Sequence, residues 1–334
     1  MNDRAALWYA TAQAAEQGTV AALATVARKR GSLPLADDAK MLVTAGGERM
    51  GTVGGGCVEA EVTAQALATV VAGAPAIVRH TLNADLAGDV GLSCGGTVEL
   101  FLEPVVAAPD MVVTYRRVGQ GIEHRHDLTI HTTLDWSSGP GKTLQEGAVQ
   151  RPAYLDEASR VFIEPVVRVP RVVIFGAGHV GVEIARLAAG AGFHVVSIDD
   201  REEFANPRRI PWAGDVIAED FTGVLERLTF ERDDYVIAAT RGHAFDATVV
   251  ERAAASRAGY VGMLGSKRKL AVVRRALERS GAAPGDLDRV KCPIGEDIGA
   301  DTPAEIAVSV VAELIRLRRK GEGEAGRGKR KPLP

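Results

Sequence analysis

One short stretch constrains the fold more than any other, Gly176-Ala177-Gly178-His179-Val180-Gly181. An apolar run at 171–175 precedes it. Residues 180–189 have helical character, and a second apolar run at 193–198 ends at Asp199-Asp200. Glycine suits a chain that must turn tightly or bring its backbone against another group. A G-x-G-x-x-G between strand and helix, with an acid about 20 residues on, marks a dinucleotide-binding βαβ unit. In such a unit Gly176 makes the turn, Gly178 lets backbone approach a phosphate, and Gly181 lets the helix pack on the strand. The helix start offers free N–H groups and the positive dipole end to an anion. Asp199 or Asp200 would then accept a ribose hydroxyl, favouring NAD over NADP. His179 would face whatever the helix start binds.

The alternation continues. Residues 235–239 and 260–264 read as strands, and 248–257, 266–278 and 303–318 as helices, the last with Pro303 in its first turn. The expectation is α/β: a Rossmann-like, doubly wound parallel-sheet domain over 169–320, preceded by an α+β domain over 1–168. In that first domain residues 4–17 and 57–71 read as helices, and 19–27, 76–82 and 97–103 as strands. Residues 40–44 and 50–53 form a hairpin around Ala45-Gly46-Gly47. Residues 128–133 and 160–164 look like strands, and 137–149 like a loop. Phe101-Leu102-Glu103-Pro104 and Phe162-Ile163-Glu164-Pro165 are near copies, read as two strands that stop at proline. Residues 321–334, basic and rich in Gly and Pro, read as a disordered tail.

Composition removes several functions. Lys plus Arg is 40 against Asp plus Glu 43, so the formal charge of −3 supplies no global field for nucleic acid. No apolar run reaches the ~18 residues of a membrane span. The start carries Asp3, Arg4 and Glu16 without an apolar core, so the chain is expected to stay in the cytoplasm. Three cysteines make no disulfide framework.

Two of those cysteines sit among glycines. Gly54-Gly55-Gly56 leads from a strand into a helix that opens with Cys57, a nest-forming sequence beside a thiol whose pKa the helix dipole would lower. Gly91-Leu92-Ser93-Cys94-Gly95-Gly96 surrounds the second with residues that expose sulfur. Their spacing does not suit structural zinc. Cys292 reads as packing, and His124, Arg125, His126 and His131 as a solvated face.

These segments, with Gly31-Ser32-Leu33-Pro34 and Ala39-Lys40-Met41-Leu42-Val43, resemble the N-terminal half of the XdhC/CoxI family, accessory proteins of molybdenum hydroxylases. The second half is similar too. It has the glycine fingerprint, Asp199-Asp200-Arg201, Phe204-Ala205-Asn206, Thr240-Arg241-Gly242-His243 with Asp246, Gly262-Met263-Leu264-Gly265-Ser266-Lys267, and Pro293-Ile294-Gly295. The resemblance implies a non-catalytic maturation factor. It would bind the molybdenum cofactor, as molybdopterin or a dinucleotide form, while a cysteine desulfurase supplies sulfur, and pass it to an apo molybdenum hydroxylase. It also implies a homodimer. Cys57 and Cys94 become the reactive positions and the metal ligands, since soft thiolates suit molybdenum or a transferred sulfur. Gly54, Gly55, Gly56, Gly95 and Gly96 join Gly176, Gly178, His179, Gly181, Asp199, Asp200 and His243 as cofactor-binding residues. Two other functions compete: an NAD(P)-dependent oxidoreductase using the fingerprint, and a sulfur carrier working through its cysteines alone.

Overall fold

The computed structural model describes residues 3–31, 35–54, 57–82, 96–147 and 152–324. They fall into two compact units, Met1–Arg168 and Val169–Pro334.

The first unit runs α1 (Asp3–Glu16), β1 (Ala21–Gly31), β2 (Lys40–Thr44), β3 (Arg49–Gly51), α2 (Cys57–Ala72), β4 (Ala76–Leu82) and β5 (Gly96–Pro104). It continues with α3 (Pro109–Glu123), β6 (Leu128–Thr133), β7 (Lys142–Glu146), β8 (Tyr154–Asp156) and β9 (Val161–Val166). Two antiparallel sheets result, ordered β3-β2-β1-β5-β4 and β7-β6-β9-β8. Alternation decides the faces. Ala22, Ala24 and Val26 of β1 turn with Met41, Val43, Val98, Leu100 and Leu102 toward α2, which seats Val62 and Ala66 on them. On the opposite face Phe101 stacks on Phe162 of the second sheet, ring centroids 4.2 Å apart.

Between 105 and 165 the structure departs from expectation. Pro109 opens α3, and Met111, Tyr115, Val118 and Ile122 recur at helical spacing along its buried side. Gly119 and Gly121 hid this helix by lowering its propensity. Both are packing glycines: a Cβ would stand 2.9 Å from the Tyr9 ring in one case and 2.4 Å from Leu128 in the other. The expected loop at 137–149 contains β7. Pro165 does not end its strand, which continues to Val166. β8 pairs only with Val161–Ile163, so the missing N–H at Pro165 falls where that edge is open.

The second unit runs β10 (Arg171–Phe175), α4 (His179–Gly190), β11 (His194–Asp199), β12 (Asp215–Ala218), α5 (Phe221–Arg227), β13 (Asp234–Ala238) and α6 (His243–Ala254). Then come β14 (Tyr260–Met263), α7 (Lys267–Ser280), α8 (Pro284–Leu287), β15 (Val290–Lys291) and α9 (Pro303–Glu324). Its parallel sheet is ordered β12-β11-β10-β13-β14-β15, the doubly wound arrangement expected. Val172 and Ile174 point to one side, against Ile184 of α4 and Val310 and Leu314 of α9. Val173 and Phe175 point to the other, against Val224, Val249 and Leu277. Burial on both faces explains why these strands read as unbroken apolar runs. The final helix reaches Glu324, four residues into the segment expected to be a tail.

Candidate functional site

From β10 the chain moves one way to β11 and β12, and then returns to β13 on the other side of β10. Ligands of open parallel sheets bind outside the carboxyl ends of the strands at such a reversal. Gly176 has φ +113°, and a Cβ there would stand 2.2 Å from the Ala239 carbonyl oxygen, so the turn after β10 lies directly against the end of β13. A Cβ on Gly181 would meet the Gly176 carbonyl oxygen at 1.9 Å. Gly178 differs: nothing lies within 4 Å of where its Cβ would stand. The fold does not demand glycine at 178, and a side chain there would fill the approach to α4. The helical ladder starts when Val182 N–H donates to the Gly178 carbonyl, 3.0 Å. The N–H groups of the first turn are thus left without intrahelical acceptors. His179, first residue of α4, is exposed there.

Asp199 and Asp200 separate into two roles. Asp199 is 1 % exposed. One carboxylate oxygen accepts the Ala177 N–H at 2.8 Å and Arg201 Nη2 at 3.1 Å. The other accepts Arg201 Nε at 2.8 Å and the Arg201 N–H at 3.2 Å. Burial raises its pKa, but the bonds from Arg201 and Ala177 outweigh that and hold the carboxyl below the usual range. With both oxygens used, Asp199 fastens the glycine turn from beneath. Arg209 fastens it again, donating to the Ala177 carbonyl at 2.6 Å and the Phe204 carbonyl at 3.0 Å. The Arg201 guanidinium lies over the Phe204 ring, 3.5 Å from its centroid. Periodicity gave no sign of Arg209. Its signal is a cation about ten residues past the acid, within the turn that follows β11.

Asp200 is the more accessible of the two acids, its side chain 22 % exposed. Arg241, just after β13, reaches it at 2.6 Å. Asp200 follows β11, and β10 lies between those strands, so this ion pair crosses the end of β10. Beside it is a hollow of about 660 Å³ lined by Asp200, Glu202, Ala205, Asn206, Pro207, Val216 and Ala218.

On the other side Asp246 is fully buried. It accepts from Thr240 Oγ1 at 2.7 Å and the Thr240 N–H at 3.2 Å, and pairs with Lys269. Lys269 also donates to the Leu264 carbonyl at 3.0 Å. The loops after β13 and β14 are tied together by charge in this way. Cys292 Sγ lies 3.3 Å from the Gly265 carbonyl oxygen. Burial pushes its thiol up, Lys269 pulling the other way. His243 opens α6.

Gly54, with φ +140°, and Cys57, first residue of α2, belong to the first unit, as does Gly96 at the start of β5. Glu59 in the first turn of α2 accepts from Thr52 Oγ1 at 2.6 Å. Gly55, Gly56, Cys94 and Gly95 lie outside the described residues. Among the described residues no group of three or more His, Cys, Asp or Glu is placed to hold a metal ion. No helix among them is long and apolar enough to cross a membrane. His124, Arg125 and His126 form the turn from α3 to β6.

Residues 172–314, which contain the whole crevice, match the model of the XdhC Rossmann domain, and residues 14–81 match that of the XdhC and CoxI family. A probable xanthine dehydrogenase subunit from Bacillus subtilis is 29 % identical over 318 residues, covering 90 % of this chain and 94 % of that protein. An uncharacterized protein of Escherichia coli, YqeB, is 28 % identical over 309 residues, 92 % of this chain, but the chain spans only 45 % of its length. A solved structure described as a xanthine dehydrogenase from Bacillus halodurans superposes with a TM-score of 0.76 at 26 % identity, covering 96 % of each chain.

Proposed function

The chain belongs to the XdhC and CoxI family, and from that premise we propose that it serves the maturation of a xanthine dehydrogenase-type molybdenum hydroxylase. It binds the molybdenum cofactor, keeps it while a cysteine desulfurase provides the terminal sulfur, and delivers it to the apo-enzyme. The observation that carries the proposal is the crevice at the end of β10. The open space before Gly178 and the free first-turn N–H groups of α4 suit a phosphate. Asp200 suits a ribose hydroxyl, and Arg241 a second anionic oxygen. Those groups fit the phosphate or nucleotide end of such a cofactor.

The division of labour follows from the residues. Asp199, Arg201 and Arg209 keep the glycine turn rigid before the ligand arrives, which reduces the ordering cost of binding. The Asp246–Lys269 pair fixes the facing loops. Cys57 and Cys94 would supply the soft sulfur donors that suit molybdenum or a transferred sulfur. Nothing in this scheme needs turnover by the chain itself. An NAD(P)-dependent oxidoreductase would fill the same crevice with a different nucleotide, and the test separates the two.

Purified protein is incubated with freshly released molybdenum cofactor, then desalted and assayed for molybdenum and pterin, beside Cys57→Ala, Cys94→Ala and Asp200→Asn. Stoichiometric retention by the wild type, lost in a cysteine variant, is the expected result. No retention by folded wild type, together with saturable NADH binding, would replace the proposal with the oxidoreductase.

A further inference from the structure

The near-repeat of Phe101-Leu102-Glu103-Pro104 at Phe162-Ile163-Glu164-Pro165 has no part in the function proposed above. In the fold the two segments occupy matching places. β5 lies between β1 and β4, and β9 between β6 and β8, all antiparallel. Thr25 faces Lys40 on one side and Phe101 on the other, and Thr132 likewise faces Lys142 and Phe162. Each threonine hydroxyl accepts from its own lysine.

The preceding helices match as well. Residues 3–25 align with 110–132 without a gap, with Asp3, Gln13, Glu16 and Thr25 repeated as Asp110, Gln120, Glu123 and Thr132. Both helices are followed by a left-handed residue at the same place, Gly18 with φ 63° and Arg125 with φ 57°.

The contacts between the halves are reciprocal. Tyr9 donates to Glu123 at 2.6 Å, and Arg116, which aligns with Tyr9, donates to Glu16 at 2.7 Å. Lys40 pairs with Glu164 at 2.9 Å, and Lys142 pairs with Glu103 at 2.9 Å. Trp8 meets its counterpart Tyr115 at 6.1 Å between centroids, as Phe101 meets Phe162. Equivalent residues touching each other, and these polar contacts made twice with partners exchanged, is the pattern of an isologous two-fold interface.

The halves differ in one respect. The first carries β3 and α2 between β2 and β4, over 45–75, where the second has only 147–153 between β7 and β8. It also has 83–95 between β4 and β5, where the second has 157–160. The sheet face under α2 is apolar through Ala22, Ala24, Met41 and Val43, and the residues aligned with these are Thr129, His131, Thr143 and Gln145. An apolar surface exists only where a helix covers it.

We propose that residues 3–166 are two copies of one α-β-β-β-β half, fused in tandem and packed about a local two-fold axis, and that the cofactor-handling part of this unit is confined to the additions in the first copy. The second clause rests on the function proposed above; the first does not. The two clauses are tested separately, on the full chain. Thr25→Val and Thr132→Val form one matched pair and Phe101→Leu and Phe162→Leu another; the mates are buried to the same degree, 2 % and 1 % exposed for the threonines and 1 % for both phenylalanines. Each phenylalanine change should lower the unfolding midpoint of the first unit by about 3–6 °C, and mates should agree within about twofold. Disagreement beyond that in both pairs would overturn the duplication. For the second clause, replacing 147–153 with a Gly/Ser run of equal length should leave molybdenum retention unchanged, while Cys57→Ser should abolish it. Loss of retention in the 147–153 variant, with its midpoint intact, overturns confinement to the first copy. Absence of retention in wild type refutes the proposed function, and the matched pairs are still read.

Discussion

Asp199→Asn tests whether the acid after β11 binds ligand or holds the turn. The substitution keeps shape and removes charge. An asparagine has one oxygen, so its amide NH2 must face either the Ala177 N–H with Arg201 Nη2 or the Arg201 Nε with its backbone N–H, donor against donor. One buried donor left without an acceptor costs about 1–3 kcal/mol, and weakening a charge-assisted bond adds about 1. Arg201 is a quarter exposed, so its share is discounted for solvent screening. The loss comes to about 2–4 kcal/mol, or about 5–15 °C in a unit of this size. The assay is thermal unfolding of the second unit across pH. Because the folded carboxyl sits below its unfolded value, its contribution is complete above the unfolded pKa of about 4 and disappears as pH falls through the folded one. The gap between wild type and variant should therefore be full at neutral pH and close in acid. An unchanged midpoint at neutral pH, with nucleotide or cofactor binding lost, would refute the reasoning and make Asp199 the ligand contact. Asp200→Asn should do the reverse, leaving the midpoint in place and weakening binding.

Three other outcomes follow from the same geometry. Gly176→Ala should cost more than about 3 kcal/mol, because it combines a left-handed φ with a Cβ pressed on the Ala239 carbonyl, and urea unfolding measures it. Lys142→Met should cost about 3–5 kcal/mol by stranding Glu103, which is 1 % exposed, and the double variant with Glu103→Leu should recover most of the loss; calorimetry of both decides it. The Cys292 thiol, pushed up by burial, should react with iodoacetamide near pH 8 more slowly than an unhindered model thiol, as peptide mapping over time would reveal.

Much of the second unit is legible in the sequence because each of its signals is local. Strands buried on both faces are apolar throughout, the glycines recur at fixed offsets, and Pro303 announces its helix. The site was only half legible for the same reason. Position along the chain could not separate Asp199 from Asp200; what separates them is which carboxylate points under the glycine turn, a tertiary fact. Arg209 and the Asp246–Lys269 pair act across loops, so no offset reveals them. In the first unit the difficulty lay at 105–165, where α3 carries glycines for close packing against Tyr9 and Leu128. The repeated Phe-x-Glu-Pro was visible, but its meaning needed the register of six strands.

The Arg241–Asp200 bridge has a consequence for selectivity. With its two charges opposed across the end of β10, the pair itself offers a passing anion less long-range pull than a lone arginine would. A lone inorganic phosphate that claims Arg241 leaves Asp200 with only the longer Arg201 contact at 3.8 Å, and the repulsion between the two anions is set against the attraction gained. A ligand that carries a phosphate and a sugar hydroxyl together can satisfy both partners as it separates them. If the crevice binds as proposed, the bridge would act as a two-key lock, disfavouring small anions that a bare cluster of arginines would hold.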